Sequence, residues 1–297
     1  MPNKLIAVAL LLSLFATSSR AQERKAPIPP GTTIKRDIDY VPNASAAQKL
    51  DLAVPPSKDP LPLVIWIHGG GWQKGDKTPN PAVALLQFGY AVAGVNYRLT
   101  QEAIFPAQIN DCKAAVRWLR AHAKEYNIDP DRIGVWGASA GGHLVALLGT
   151  AGDAKELEGD GGNEDVSSRV QAVCDFFGPS DLTRVLDPTA ADNAVPKLMG
   201  GPLREKRELA AQASPVTYVT SDDPPFLIMH GGDDPLVHPR QSRWLYEALR
   251  AKKVPAQLEI IDGAKHGGPE FATPEHRKMI LQFFDKTLKH PSPAKAE

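Results

Sequence analysis

The chain has 297 residues, 42% of them hydrophobic and 23% charged, which is the composition of a globular protein and excludes a disordered or low-complexity chain. Its 34 lysines and arginines balance 34 aspartates and glutamates. A formal charge of zero gives no basis for a nucleic-acid or anionic-membrane partner.

Lys4, an apolar run over residues 5–16 and the small residues Ser19 and Ala21 read as an export signal cleaved after Ala21. The run is well short of the ~20 residues that span a bilayer. Removing Lys4 and Arg20 would take the net charge from 0 to −2. Export permits disulfides. Cys112, on an apolar helix face, and Cys174, inside a strand, fit buried free thiols, and a bridge between them stays open.

A proline-rich leader over residues 26–31 precedes two alternating runs, 33–41 and 49–54, that predict an antiparallel start to a sheet. Leu63, Val64, Ile65, Trp66 and Ile67 form a continuous apolar run, as a strand buried on both faces does. Strand and helix patterns then alternate. Strands are predicted over 90–96, 131–136, 170–177, 225–230 and 256–261, and helices over 83–88, 107–124, 240–252 and 274–288. The order implies an α/β fold, a mostly parallel sheet covered by helices on both faces, with active residues at the carboxyl ends of strands. Residues 22–297 read as one domain without internal repeats.

Two stretches interrupt the rhythm. Residues 152–168 read as a solvated loop; Asp160, Asn163 and Asp165 match no calcium-binding spacing. Residues 180–223, with helical stretches at 190–199 and 204–213, are too long for a connection and read as a small cap over a site.

The chemistry concentrates in four loops. Gly137-Ala138-Ser139-Ala140-Gly141 lies between a strand and a small apolar helix, which places Ser139 on a sharp turn above a helix N-terminus. A serine nucleophile needs a base, because its hydroxyl is almost un-ionised at neutral pH. His266 follows the last strand, between glycine-containing segments, and suits that role. The loop after the preceding strand offers Asp233 and Asp234. Asp234 is the expected orienting acid, since Pro235 fixes the chain just after it, and Asp233 is expected to cap the turn. His143, His230 and His238 read as structural. His68-Gly69-Gly70-Gly71-Trp72 follows the buried strand and can aim backbone N–H groups at one point. Gly70 and Gly71, with Ala140, are the expected oxyanion hole. The phosphate-cradle alternative lacks both of the usual glycine spacings.

With these motifs in this order, the chain resembles the α/β-hydrolase superfamily from about residue 34 to 288. Tyr97-Arg98-Leu99, Phe105-Pro106-Ala107 and Asp111 are similar to its hormone-sensitive-lipase side. Trp72 with Gly75-Asp76-Lys77, and Asp175-Phe176-Phe177-Gly178-Pro179-Ser180-Asp181, resemble bacterial feruloyl/acetyl-xylan esterases of the BD-FAE type. The resemblance implies a serine esterase with no metal or organic cofactor, and the export signal implies a secreted or periplasmic one. It acts on a small-molecule or polysaccharide-linked ester. An arylformamidase-like or peptidase-like hydrolase, and a non-catalytic binding protein on the same scaffold, are the rival readings. The stretch that includes Arg184, Asp187, Asp192, Lys197 and Arg204 is too polar to favour long-chain lipid.

Overall fold

A computed structural model describes residues 28–184 and 194–290. The expected signal segment, the first two residues of the leader, and Asp187 and Asp192 lie outside the described residues. Among the described residues one sheet of eight strands runs β1 (Thr33–Asp39), β2 (Lys49–Val54), β4 (Ala91–Val95), β3 (Leu61–Ile67), β5 (Ile128–Ala138), β6 (Ala172–Phe176), β7 (Phe226–Gly231), β8 (Ala256–Ile261) in spatial order. β1 with β2 and β2 with β4 pair antiparallel, and every later neighbour pairs parallel.

The continuous apolar run of β3 has a direct cause. Leu63, Ile65 and Ile67 enter the core on one face of the sheet, whereas Val64 and Trp66 enter the core on the other. Helices α1 (Ala107–Ala121) and α2 (Ala140–Thr150) supply the first core, together with Leu245 and Leu249 of α5 (Arg240–Ala251). Helix α6 (Pro274–Phe284) and the 3-10 helix Pro81–Phe88 supply the second. The 83–88 segment is therefore helical but wound more tightly than expected. Its side chains number too few for a long amphipathic face, and Asn80 caps it by accepting from the Ala82 N–H. Cys112 and Cys174 are free and belong to cores on opposite faces of the sheet, which rules out the bridge left open by the sequence. Burial pushes both thiols well above their ordinary range.

The 152–168 loop is more than a solvated excursion. Its Glu158 carboxylate accepts from Lys113 Nζ at 2.6 Å and from Arg117 Nη1 at 2.7 Å, and both cations are buried on α1. Lys113 and Arg117 are four apart, so they share one helix face, and the loop folds down to neutralise them. No cluster of potential metal ligands occurs among the described residues.

Between β6 and β7 the chain forms α3 (Ala194–Met199) and α4 (Arg207–Gln212), close to the expected helical stretches. Gln241 of α5 ties the start of this segment down. Its Oε1 accepts from the Ser180 N–H at 2.8 Å and the Asp181 N–H at 2.7 Å, while its Nε2 donates to the Asp181 carbonyl at 3.0 Å.

Candidate active site

β5 ends on Ala138, and the chain reverses at Ser139 (φ 56°, ψ −119°) before α2 begins at Ala140. Such a backbone conformation is costly for a residue with a β-carbon and is held only by its surroundings. Two backbone hydrogen bonds hold it. The Ser139 N–H donates to the Phe176 carbonyl at 2.8 Å, and the Ser139 carbonyl accepts from the His143 N–H at 2.9 Å. The neighbouring glycines allow the turn to close. A β-carbon on Gly137 would stand 2.3 Å from the Gly141 carbonyl oxygen, and one on Gly141 would stand 2.1 Å from that of Ile67.

Three loops that follow β5, β7 and β8 meet at this turn. His266 Nε2 lies 2.8 Å from Ser139 Oγ, and His266 Nδ1 lies 2.6 Å from Asp234 Oδ2. With a proton on Nδ1 donated to the carboxylate, Nε2 is left to accept the serine hydroxyl. The other Asp234 oxygen accepts from the Leu236 N–H at 2.8 Å and the Val237 N–H at 3.0 Å. Asp234 therefore caps its own turn. The Asp233 side chain makes no hydrogen bond among the described residues, contrary to the expectation that it would be the cap. Burial by itself would raise the Asp234 carboxyl. Hydrogen bonds from His230 and His266 and from the Val237 N–H outweigh burial and hold it well below the usual carboxylate range.

His230 is buried and touches the acid directly, a contact the sequence did not reveal. Its Nε2 faces the Val237 carbonyl at 2.7 Å and Asp234 Oδ2 at 3.2 Å, and its Nδ1 lies 2.6 Å from Ser242 Oγ. Two acceptors around Nε2 fix the proton there, so Nδ1 accepts the serine hydroxyl. His143 stays apart from this chemistry. It is fully buried in α2, its Nε2 donates to the Ala213 carbonyl at 2.6 Å, and burial lowers it to about 4. His238 is exposed and its Nδ1 accepts from the Arg240 N–H at 3.1 Å.

The loop after β3 lies beside Ser139. Gly70 (φ 106°) and Gly71 (φ 62°) hold conformations closed to most side chains. Among the described residues the N–H groups of Gly70, Gly71 and Ala140 donate to no protein acceptor, and all three residues line one cavity with Ser139 and His266. The cavity has a volume of about 1040 Å³. Phe177, at φ 44°, packs its ring 4.6 Å from that of His266. Trp244 of α5 forms part of the far wall, with the Arg184 guanidinium 5.1 Å above its ring. Leu236 is 75% exposed at the mouth. The contact of Phe177 with His266 and the pairing of Arg184 with Trp244 were not legible in the sequence, because both join elements distant in the chain.

Beneath the turn, Asp175 is fully buried. One oxygen accepts from the Gly178 N–H at 3.0 Å, the other has no partner, and burial raises the carboxyl to about 6. Arg98 and Asp111 form a bidentate pair outside the cavity lining, with Arg98 Nη2 2.7 Å from Asp111 Oδ1.

Known proteins resemble the chain in sequence and in fold. A carbohydrate esterase from gut microbiota, solved in truncated form, superposes with a TM-score of 0.81 at 32% identity, covering 86% of this chain and 96% of that one. An acetyl ester-xyloside bifunctional hydrolase from Caldicellulosiruptor lactoaceticus superposes with a TM-score of 0.71 at 29% identity, covering 88% and 98%. A probable carboxylic ester hydrolase of Mycobacterium tuberculosis, LipM, is 34% identical over 223 residues, 72% of this chain and 51% of that protein. The chain thus spans about half the length of the curated relatives it matches. The fold is that of an α/β-hydrolase. The BD-FAE family model matches residues 50–249, and the chain belongs to the BD-FAE family.

Proposed function

We propose that the protein is a carboxylic-ester hydrolase that uses Ser139 as nucleophile, His266 as general base and acid, and Asp234 as the orienting carboxylate. The observation that carries this reading is the unbroken relay from Ser139 Oγ to His266 Nε2 at 2.8 Å and from His266 Nδ1 to Asp234 at 2.6 Å. His266 takes the hydroxyl proton as Ser139 Oγ attacks the ester carbonyl. The carbonyl oxygen becomes an oxyanion, which the N–H groups of Gly70, Gly71 and Ala140 receive beside the positive end of α2. Collapse expels the alcohol with the proton from His266. Water then enters by the same route, giving its proton to His266 as it attacks the acyl-enzyme. Asp234 holds the His266 tautomer and stabilises the imidazolium formed in each half-reaction.

Short acyl groups and carbohydrate-linked esters are the proposed substrates, reached after export directed by residues 1–21. Relatives titled a carbohydrate esterase and an acetyl ester-xyloside hydrolase support the first part. The cavity wall supports it too. It combines the aromatic Trp244 with polar side chains, a lining suited to a sugar ring. Among the described residues no helix is long and apolar enough to cross a membrane.

A panel of 4-nitrophenyl esters of increasing acyl length, run beside acetylated xylan and methyl ferulate, tests the reading. Acetate and butyrate should be turned over with the highest kcat/KM, and acetate should be released from the xylan. A maximum at long chains would point to a lipase, and no turnover of any ester would remove the proposal.

A further inference from the structure

The wall of the active-site cavity is strongly biased in charge although the chain as a whole is neutral, with 34 cationic and 34 anionic residues. Lys74, Arg184, Lys197 and Arg240 all line it. Asp234 is the one carboxylate on the wall among the described residues, and its side chain is fully buried with both oxygens occupied.

The cations are poorly neutralised. Lys197 Nζ donates to the uncharged Gln73 Oε1 at 2.6 Å. Arg184 Nε lies 3.2 Å from Asp181 Oδ2, with its guanidinium spread over the Trp244 ring. Lys74 and Arg240 form no ion pair among the described residues.

Arg240 also opens α5, a helix of 12 residues with no acidic residue in its first turn. A cation there faces the positive end of the macrodipole, so helix stability does not account for it. Helix end and guanidinium instead add their potentials in the cavity. Such a field, inside a concave site with low-dielectric walls, favours a negatively charged guest.

Resting on the esterase reading above, we infer that the preferred substrate is an ester bearing a second, ionised carboxylate, held by Lys197, Arg240 and their neighbours while the ester lies at Ser139. The carboxylate can belong to the alcohol half, as in an acylated uronate, or to the acyl half, as in a dicarboxylic half-ester. Trp244 under Arg184 offers the ring that carries it a flat apolar face.

Two matched pairs of probes separate the sources. For the alcohol half, 4-acetoxybenzoate is compared with phenyl acetate; for the acyl half, monophenyl glutarate is compared with phenyl pentanoate. In at least one pair the anionic probe should have the larger kcat/KM at about 20 mM salt, and the advantage should shrink at about 500 mM, where the Debye length is only a few ångströms. Lys197→Gln and Arg240→Gln should each lower the anionic-to-neutral ratio roughly two- to five-fold, as loss of one partly exposed ion pair does. Turnover of the neutral probe should change by less than about two-fold in the same variants. Neutral esters hydrolysed with no anionic advantage in either pair, or with ratios indifferent to both salt and substitution, would overturn the inference and leave the esterase reading standing. Failure to hydrolyse any of the probes would overturn both.

Discussion

Replacing Ser139 with alanine is expected to lower kcat for a short-chain ester by about 10⁶-fold, the scale on which removal of a triad nucleophile acts. The loss should be this complete because no second hydroxyl takes its place: Thr183 and Ser180, the hydroxyls that open the segment after β6, are committed to Asp181 and to Gln241. The fold should survive. Alanine carries the same β-carbon as serine into the φ 56° conformation, so the strain of the turn is unchanged, and only the hydrogen bond to His266 is lost. Thermal unfolding should therefore shift by no more than about 1 kcal/mol in stability. Activity above about one per cent of the parent would place the nucleophile elsewhere.

Asp234→Asn should have the second-largest effect, a fall in kcat of roughly 10³- to 10⁴-fold. The amide can still receive the Leu236 and Val237 N–H groups through its oxygen, so the loop should keep its path. Its NH₂ group then faces His266 Nδ1 and favours the tautomer with the proton on Nε2, which cannot accept from Ser139. The same change should alter the acid limb of stability. In the folded protein the Asp234 carboxyl is held below its ordinary value, so the folded state binds fewer protons there than the unfolded chain. Its stabilising contribution is complete above the unfolded value of about 4 and declines as pH falls below it. Urea unfolding from pH 6 to pH 2 should show the variant less stable at pH 6 by roughly 1–3 kcal/mol. The gap should narrow at lower pH. A constant gap would mean that the charge on Asp234 contributes nothing.

The parts of this protein legible in its sequence are those set by local physics. Burial on both faces left β3 without a polar residue from Leu63 to Ile67. The order of loops after β3, β5, β7 and β8 located the glycines, the serine, the acid and the histidine, because a parallel sheet gathers these strand ends at one edge. Contacts that depend on packing were not legible. His230 reads as a strand-end residue, and only the path of the chain through Pro235, Leu236 and Val237 brings its ring to Asp234. The partner of Lys113 and Arg117 on α1 is Glu158, delivered by the loop after α2, a contact that spacing along the chain does not show. Pro130 breaks the strand pattern before Asp131, yet β5 begins at Ile128, because Ile128 pairs with Leu61 across an irregularity in the register that leaves room for the proline. The cationic wall was half visible. Arg184 and Lys197 stood out as polar residues in the segment after β6, but Lys74 comes from the loop after β3 and Arg240 from the first residue of α5.

The relay from Ser139 through His266 to Asp234 is tested most directly by a fluorophosphonate probe, which reacts with an activated serine and not with an ordinary one. Folded protein incubated with the probe should gain one phosphonyl group, located by peptide mapping on Ser139, and unfolded protein or the Ser139→Ala variant should gain none. Folded protein that stays unlabelled, or that carries the label on another residue, would contradict the account.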